Sequence, residues 1–354
     1  MSSTILILAQ TRLDTHVPSY MRPAGTPGGS EATLGWWLLI TAMAVVVIIA
    51  ALVLWASSRG RSTDSGKHAN APAEQGGGRP DWQVVSGVKW IYIGTAITVV
   101  ILLIAFGGTL AVVAKASRPP SPPPIALDIT AHQWWWEVRV TDSVPSNSFV
   151  TANEVHVPVG VPIRIRLRTD DVIHSFWVPE LAGKMDVIPG QINETWLRAD
   201  RAGVFRGACV EFCGLQHAHM AFAVVAESPA KYATWAAQQR SEAVLPAGAP
   251  AEAPTVAPTR QESDVVRAGE GVFISYCGAC HAVRGTDALG RVGPDLTHIA
   301  SRLTIGAGLV DNTTPNLISW VHNAQLMKPG VLMPKMDIPP SDVKAVVAYL
   351  QTLR

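Results

Sequence analysis

The stretch Cys209-Val-Glu-Phe-Cys-Gly-Leu-Gln-His-Ala-His-Met220 decides the fold of the middle of this chain. Within it, Cys213, His217 and Met220 supply a thiolate, an imidazole and a thioether at the spacing of a short copper loop. An imidazole from an upstream strand would complete a mononuclear copper set. His174, in the sequence Ile-His-Ser-Phe-Trp-Val-Pro, is well placed to provide it. The stretch therefore predicts a copper site.

Cys209 is surplus to that mononuclear set. A second thiolate four residues before Cys213 allows both sulfurs to bridge a pair of copper ions, each capped by one histidine. The carbonyl of Glu211 and the sulfur of Met220 remain as weak further ligands. A disulfide between the two cysteines is one alternative, but it would close a very short loop and leave the histidine and methionine spacing unexplained. A copper-delivery protein is another, but its thioredoxin-like βαβ pattern does not fit this strand-rich stretch.

The complete pattern C-x-E-x-C-x-x-x-H-x-x-M resembles the copper A loop of cytochrome c oxidase subunit II. The resemblance implies a dinuclear copper A centre held by six residues: His174, Cys209, Glu211, Cys213, His217 and Met220. It also implies that the carboxylate of Glu211 reaches a Mg²⁺ or Mn²⁺ ion shared with subunit I, since a hard cation suits a carboxylate. In this family an aromatic patch receives electrons on their way to copper, and Trp134 and Trp135 match it by position.

The composition bounds the remaining possibilities. The chain has 354 residues, enough for two or three structural units, and its net charge of +1 gives no indication of nucleic-acid binding. Its four cysteines form two pairs, Cys209/Cys213 and Cys277/Cys280, and both pairs fall inside cofactor motifs. No cysteine is left over for a structural disulfide, so cysteine usage alone does not identify the cellular compartment.

Two long apolar segments predict a pair of membrane helices. Residues 34–55 are apolar nearly throughout and contain no charged side chain, which is enough helix to cross about 30 Å of hydrocarbon. A second uncharged run, 90–114, lies between Lys89 and Lys115. Both runs are too long for ordinary buried core helices. We therefore expect this part of the chain to span a membrane twice.

Short alternating runs begin at Ile125 and are separated by Gly, Pro and Asp turns, which predicts a β-sandwich. Over residues 163–168, isoleucine and leucine alternate with arginine, so one face of this strand should be buried and the other solvated. The three consecutive tryptophans at 134–136 cannot all face the core, because side chains alternate along a strand. Packing of Trp135 against a membrane or a partner is the alternative to its role in electron transfer.

A second cofactor motif lies towards the C-terminus. Cys277-Gly-Ala-Cys-His281 has the C-x-x-C-H pattern that attaches c-type haem, with thioethers from Cys277 and Cys280 and with His281 as the proximal iron ligand. A zinc knuckle would need a second Cys/His pair at similar spacing, and none follows. The segment resembles class I cytochromes c, in which the carbonyl at the position of Pro294 orients the proximal histidine.

The sixth haem ligand is expected to be a methionine. Met327, Met333 and Met336 all lie at plausible distance along the chain. Axial methionines of such domains tend to precede a proline, and Met333 is followed by Pro334. We therefore predict Met333 as the sixth ligand.

Helices flank this motif in the sequence. Ser228-Pro229 predicts a short helix that ends near Arg240, before an Ala/Pro-rich tether. Asp264–Tyr276 is expected to be helical and to run into the haem motif. A capped amphipathic helix, Ser341–Leu353, should bury Val343, Val346, Val347 and Leu350. The resemblance to class I cytochromes c implies that it crosses the first helix near Gly269 and Phe273.

The predicted fold class is multidomain: a two-helix transmembrane hairpin, an all-β cupredoxin sandwich and an all-α class I cytochrome c. The predicted boundaries are an outer N-terminal segment (1–33), the hairpin (34–115, with helices 34–55 and 90–114 and a cytoplasmic loop 56–88), the copper A domain (119–228), the short helix and Pro/Ala-rich linker (229–262) and the cytochrome domain (263–354).

The resemblance implies subunit II of a haem-copper terminal oxidase with a cytochrome c fused at its C-terminus. Electrons would pass from a cytochrome c or a cytochrome bc complex to covalent haem c, then to copper A, and on to the haem of subunit I. Oxygen would be reduced to water there, coupled to proton pumping, so no catalytic residue is expected on this chain. The expected partners are subunits I and III and membrane lipid. The copper A subunit of a nitric oxide reductase is the alternative, because it would share these motifs.

The haem motif also predicts the orientation of the chain. In bacteria, c-type haem is attached on the outer side of the membrane. We therefore expect a multi-pass protein of the bacterial inner membrane, with the copper and haem domains on the periplasmic face and the loop between the spans in the cytoplasm.

Overall fold

The computed structural model describes residues 19–58, 81–142, 144–243 and 260–354. The predicted N-terminal segment, cytoplasmic loop and linker therefore lie partly outside the described residues. The described residues fall into two compact units, of which one is Ser30–Ala116 and the other contains the rest.

Two long helices, α1 (Thr26–Ser58) and α2 (Asp81–Ala116), provide the predicted spans. By length and composition, α1 and the Val88–Ala116 part of α2 can both cross a membrane. Large apolar side chains along them, such as Trp37 and Ile104, are exposed. That exposure is unfavourable in water and is relieved in lipid. Both helices extend beyond the apolar runs that the sequence marks out.

The middle of the chain is a sandwich of two five-stranded sheets. Its strands are β1 (Ile125–His132), β2 (Trp135–Thr141), β3 (Phe149–Ala152), β4 (Glu154–Pro158), β5 (Ile163–Thr169), β6 (His174–Trp177), β7 (Met185–Val187), β8 (Asn193–Leu197), β9 (Gly203–Cys209) and β10 (Ala221–Glu227). One sheet has the order β3-β2-β1-β5-β8 and the other β4-β10-β9-β6-β7. Short 3-10 helices lie at Pro145–Asn147 and His217–His219. The predicted all-β sandwich is confirmed.

The two sheets bury a common apolar core. β5 shows the predicted alternation, with its isoleucines and leucine buried and its arginines exposed. Trp136 is fully buried at the centre, with ring centroids 5.5 Å from Phe176 and 6.5 Å from Phe222 in edge-on geometry. Such edge-on pairs add to the free energy gained by burying aromatic area.

The residues before α1 pack on the sandwich. The backbone N–H of Ala24 donates to the carbonyl of Glu180 at 2.7 Å, and the N–H of Asp200 donates to the carbonyl of Ala24 at 2.8 Å. A Cβ at Gly25 would lie 2.6 Å from two backbone oxygens, so only glycine fits there. This segment therefore continues the sandwich before the chain enters α1.

The C-terminal part is helical. After the sandwich come α3 (Pro229–Arg240), α4 (Arg260–Tyr276), α5 (Thr314–Met327) and α6 (Pro340–Leu350), with a 3-10 helix at Ile299–Ser301 and a small hairpin of β11 (Thr304–Ile305) and β12 (Val310–Asp311). The side chain of Ser228 caps α3 by accepting from the N–H of Lys231, as its sequence predicts.

Helices α4 and α6 cross closely. A Cβ at Gly269 would lie 2.0 Å from the carbonyl oxygen of Ala345, so the crossing requires glycine. The predicted buried face of α6, three valines and Leu350, is confirmed. Its predicted start at a capping Ser341 is wrong: α6 begins at Pro340, and no side chain caps it. Proline takes the first helical position because its missing N–H needs no partner there.

Candidate copper and haem sites

The copper loop lies at one end of the sandwich, where two neighbouring strands meet it. Cys209 is the last residue of β9, and His174 is the first residue of β6. These strands pair in antiparallel fashion, with Phe176 opposite Cys209. The pairing brings a histidine that is distant in sequence to the first cysteine of the loop. His174, Cys209 and Cys213 are all buried, and their ligand atoms lie within 4.8 Å of one another.

The two cysteines lie side by side between two histidines. Their sulfurs are 3.7 Å apart and both thiols are free, so the alternative of a disulfide, with its bond of about 2 Å, is excluded. The Sγ of Cys209 is 3.8 Å from Nδ1 of His174. The Sγ of Cys213 is 3.6 Å from Nδ1 of His217. Each sulfur thus has its own imidazole, as the predicted dinuclear centre requires.

The two predicted weak ligands stand at either side of this row. The Sδ of Met220 is 4.0 Å from the Sγ of Cys213, and Met220 is buried. The carbonyl oxygen of Glu211 accepts from the thiol of Cys209 at 3.3 Å, while the residue as a whole is exposed. Glu211 thus meets the sulfur pair through its backbone carbonyl, and its exposure leaves the carboxylate accessible for a second role.

The thiols influence each other's protonation. The hydrogen bond from Cys213, aided by one from His174, lowers the pKa of Cys209 despite its burial. The same contact and burial raise the pKa of Cys213. The contact therefore favours ionisation of Cys209 over that of Cys213. A set of two soft sulfurs, two imidazoles and two weak donors fits copper, and the sulfurs can be shared by two ions.

Asp171 supports this site and was not singled out from the sequence. Its Oδ1 accepts from Nε2 of His174 at 2.7 Å, which leaves Nδ1 facing Cys209. Three further groups hold the carboxylate: the N–H groups of Gln133 and Val172 and the hydroxyl of Thr169. Such partners fix the ring and the tautomer of a ligating histidine. The sequence signal that could have identified Asp171 is its position three residues before His174.

The haem motif follows directly from α4. Cys277 and Cys280 are free and half-buried. Nδ1 of His281 donates to the carbonyl of Pro294 at 2.8 Å, as the sequence predicts, which leaves Nε2 for iron. A Cβ at Gly293 would lie only 2.5 Å from the His281 ring, so glycine permits the close approach of this segment. Burial lowers the pKa of His281 and so favours the neutral ligand form.

The comparisons with known proteins agree with this geometry. The family profile of the periplasmic domain of cytochrome c oxidase subunit II matches residues 125–227, and the profile of cytochrome c matches residues 266–354. Cytochrome c oxidase subunit 2 of Alkalihalophilus pseudofirmus is 33% identical to this chain, over 75% of the chain and 72% of the relative.

The chain belongs to the cytochrome c oxidase subunit 2 family.

Other members are similar over comparable lengths. The cytochrome c oxidase subunit 2 of Bacillus sp. strain PS3 is 28% identical, over 77% of this chain and 76% of the relative. That of Bacillus subtilis is 28% identical, over 65% of this chain and 62% of the relative. The chain is thus subunit II of a haem-copper oxidase with a cytochrome c domain, and the two families imply copper and haem as the groups that the two motifs hold.

In this subunit II chain, the predicted electron-transfer tryptophans have different surroundings. Nε1 of Trp134 donates to the carbonyl of Cys213 at 3.0 Å, and the ring is buried. Trp135 is half-buried and stacks on His132, with ring centroids 4.5 Å apart. Gln133 also donates to the Cys213 carbonyl, at 2.7 Å. Trp134 therefore contacts the copper loop directly, and Trp135 lies against a histidine outside it.

The three candidate methionines of the cytochrome domain also differ. Met327 and Met336 are partly buried against the apolar core of this domain. Met333 is half-buried in the loop before α6, and its carbonyl accepts from the amide of Gln325 at 2.7 Å. Gln325 also holds the carbonyl of Val331, so the backbone of this loop is fixed at two points. The assignment of Met333 to iron remains a prediction.

Proposed function

We propose that this chain is the electron-receiving subunit of a proton-pumping oxidase. It would accept electrons from a cytochrome c or a cytochrome bc complex in its C-terminal domain and pass them through its copper loop to the haem of subunit I. There oxygen is reduced to water. One observation carries the proposal: two free, buried thiols lie 3.7 Å apart, each beside one imidazole.

The ligand sets of both sites support one-electron transfer. Copper A, held by the six ligands of the loop and β6, and haem c, held by Cys277, Cys280 and His281, would both supply one-electron redox chemistry when bound. Met333 would complete the iron ligands. The protein's own part is to fix the ligand rings, through Asp171 for copper and through the Pro294 carbonyl for iron. Rigid ligands reduce the rearrangement that accompanies each electron.

The exposed carboxylate of Glu211 supports a contact with subunit I. Its carbonyl faces the sulfur pair, while its side chain is open to solvent in this chain alone. A Mg²⁺ or Mn²⁺ ion shared with subunit I would suit an oxygen ligand of this kind. Subunit III and membrane lipid are the other partners that we propose.

The final acceptor is decided by the partner subunit. The relatives that match this chain over most of its length are cytochrome c oxidases, which favours oxygen over nitric oxide. The test is to purify the assembled complex and to compare oxygen uptake with nitric oxide reduction, using the same reduced cytochrome c. Oxygen uptake that greatly exceeds nitric oxide reduction is expected. If the complex reduces nitric oxide but not oxygen, the chain is instead the copper A subunit of a nitric oxide reductase.

We also propose that the copper and haem domains are periplasmic and that the loop between the spans is cytoplasmic. Protease added to intact spheroplasts should then cut within residues 244–261, a Pro/Ala-rich segment. A haem-staining fragment is expected on a denaturing gel without breaking the membrane. A fragment that appears only after lysis would reverse the proposed orientation.

A further inference from the structure

Lys328 follows α5 in the cytochrome domain and is almost completely buried, with 2% of its surface exposed. Its ammonium group donates to two backbone carbonyls, that of Gly306 at 2.8 Å and that of Trp134 at 2.9 Å. Gly306 belongs to the cytochrome domain and Trp134 to the copper domain. One buried cation therefore joins the two domains.

The residues after Lys328 contact the copper loop itself. The side-chain amide of Gln216, which lies between ligands Cys213 and His217, donates to the carbonyl of Pro329 at 2.6 Å. A Cβ at Gly330 would lie 2.7 Å from a methyl group of Leu215. We call Lys328–Gly330 the docking segment.

The docking segment reaches a copper ligand through a single residue. Lys328 holds the backbone of Trp134, and the indole of Trp134 donates to the carbonyl of Cys213. On the cytochrome side, Met333, the predicted iron ligand, lies only three residues after the docking segment in the sequence. The two halves of the electron path therefore approach each other at this lysine.

A buried lysine is an unfavourable choice for simple packing. Burial lowers its pKa to about 7. Among the described residues both of its hydrogen-bond acceptors are neutral carbonyls, which offset the desolvation less than a carboxylate would, and an apolar residue of similar length would avoid it. An ammonium group, however, donates up to three directed hydrogen bonds and can hold two carbonyls from different domains at one point.

Other contacts hold the domains together independently of Lys328. The N–H of Leu303 donates to the carboxylate of Glu154 at 2.9 Å. The N–H of Ala221 donates to the carbonyl of Ala307 at 2.9 Å. The role of Lys328 can thus be separated from docking as a whole.

We propose that Lys328 is a positioning residue that fixes the docking segment over Trp134 and thereby sets the rate of electron transfer between the cytochrome and copper domains. The inference rests on the proposed function, in which electrons cross this contact. The haem ligands, the copper ligands and Lys328 all belong to this one chain, so the proposed transfer takes place within it.

The test uses the assembled oxidase with Lys328→Met, which keeps the length of the side chain and removes its donors. Lys335→Met is the matched control, because Lys335 lies in the same loop, is exposed, and has its ammonium group 3.9 Å from the carboxylate of Asp337. The haem is reduced in a light pulse by a photosensitiser with a sacrificial electron donor, and the rate of the following copper reduction is measured. Hydrogen exchange is measured at residues 326–335 and at the amide of Leu303.

Lys328→Met is expected to slow the transfer by about tenfold or more, since a small displacement of reacting groups has effects of this size. Exchange should accelerate at residues 326–335 while the amide of Leu303, which is bonded to Glu154, stays protected. The copper resonance pattern and the methionine-to-iron band should be unchanged, and Lys335→Met should resemble wild type. Transfer within about twofold of wild type in Lys328→Met would overturn the proposal.

Two further outcomes are decisive. Should Lys328→Met fail to accumulate, Lys328→Gln keeps N–H donors on a shorter side chain, and an intermediate rate is expected; a wild-type rate in this variant overturns the role of Lys328. A wild-type complex without a two-copper signal would instead contradict the proposed function. The failures of the two proposals are therefore distinguishable.

Discussion

The two cysteine pairs of this chain have surroundings that suit different bonds: metal ligation for Cys209 and Cys213, and thioether attachment of haem for Cys277 and Cys280. Cys209 and Cys213 are buried at the end of the sandwich, in contact with each other, and the contact lowers the pKa of one while raising that of the other. Cys277 and Cys280 are half-buried at the end of a helix, and burial raises the pKa of Cys277 to about 11. In the first pair the contact favours ionisation of Cys209, which suits a metal ligand. In the second pair burial disfavours the thiolate of Cys277, so its reactivity depends on whatever attaches the haem.

Loss of either cysteine of the copper pair offers the strongest test of this comparison. With Cys209→Ser, His174, Cys213, His217 and Met220 still form a mononuclear set. We expect this variant to bind about one copper per chain and to keep a thiolate-to-copper colour. Cys213→Ser removes the sulfur nearest His217 and Met220 and should bind copper poorly or without that colour.

Metal content and electron paramagnetic resonance measure this difference. Wild type should bind about two coppers and show one electron shared between them, as two bridging sulfurs allow. Cys277→Ser is the matched control from the other pair, and its copper signal should be that of wild type. One copper per wild-type chain with a four-line pattern would remove the dinuclear interpretation.

The haem side of the comparison depends on its axial ligand. Met333→His should lower the haem potential and abolish the methionine-to-iron absorption band, because a thioether ligand raises the potential. Met327→Leu and Met336→Leu are the controls, since both residues pack against the core of the domain. Redox titration and the optical spectrum give the result. If Met333→His keeps the band and one of the leucine variants loses it, the methionine replaced in that variant is the iron ligand instead.

We expect a smaller effect on copper binding from changing Asp171, which orients the ligand His174. Asp171→Asn removes the charged acceptor of the His174 ring and should weaken copper binding by about ten- to a hundredfold without changing the number of coppers bound. Titration with a competing chelator measures the affinity. Asp170→Asn removes the same charge from the exposed neighbouring residue and should have little effect. Equal weakening in both variants would assign the effect to net charge.

The ligands could be predicted from the sequence because most of them lie on one short loop. Five of the six copper ligands fall between Cys209 and Met220, and the haem motif is contiguous. The strand that carries Cys209, β9, was not predicted, because Gly207 and Arg206 interrupt its apolar pattern. The fold that places His174 beside it was nevertheless implied by the copper loop.

The contact between the domains could not be predicted in this way. Lys328 and Trp134 are 194 residues apart in the chain and meet only after both domains have folded. Nothing in the sequence distinguishes Lys328 from an exposed lysine, since burial is a property of tertiary packing. The Ala/Pro-rich tether predicted only that the cytochrome domain stays close, whereas the structure gives the faces that meet.

We expect the charge of His156 to have a smaller effect on the contact between the copper and cytochrome domains, through Glu154. Its ring stacks on Trp235, and its Nδ1 lies 2.8 Å from the carboxylate of Glu227 and its Nε2 3.5 Å from that of Glu154. Burial opposes its charge, but hydrogen bonds and charges of the two carboxylates outweigh burial and raise its pKa. Glu154 in turn accepts from the N–H of Leu303 in the cytochrome domain.

The sign of the effect follows from the raised pKa. Stability contributed by charged His156 is fully present below the unfolded pKa of about 6.5 and is lost as the pH rises through the folded pKa. Protection of the Leu303 amide from hydrogen exchange, corrected for its intrinsic pH dependence, should therefore decrease slightly over this range. Lys328 adds a pH dependence of the opposite sign, because burial lowers its pKa to about 7. The comparison of wild type with His156→Gln isolates the histidine, since Lys328 is common to both. Identical pH profiles in the two proteins would show that His156 does not act on the contact.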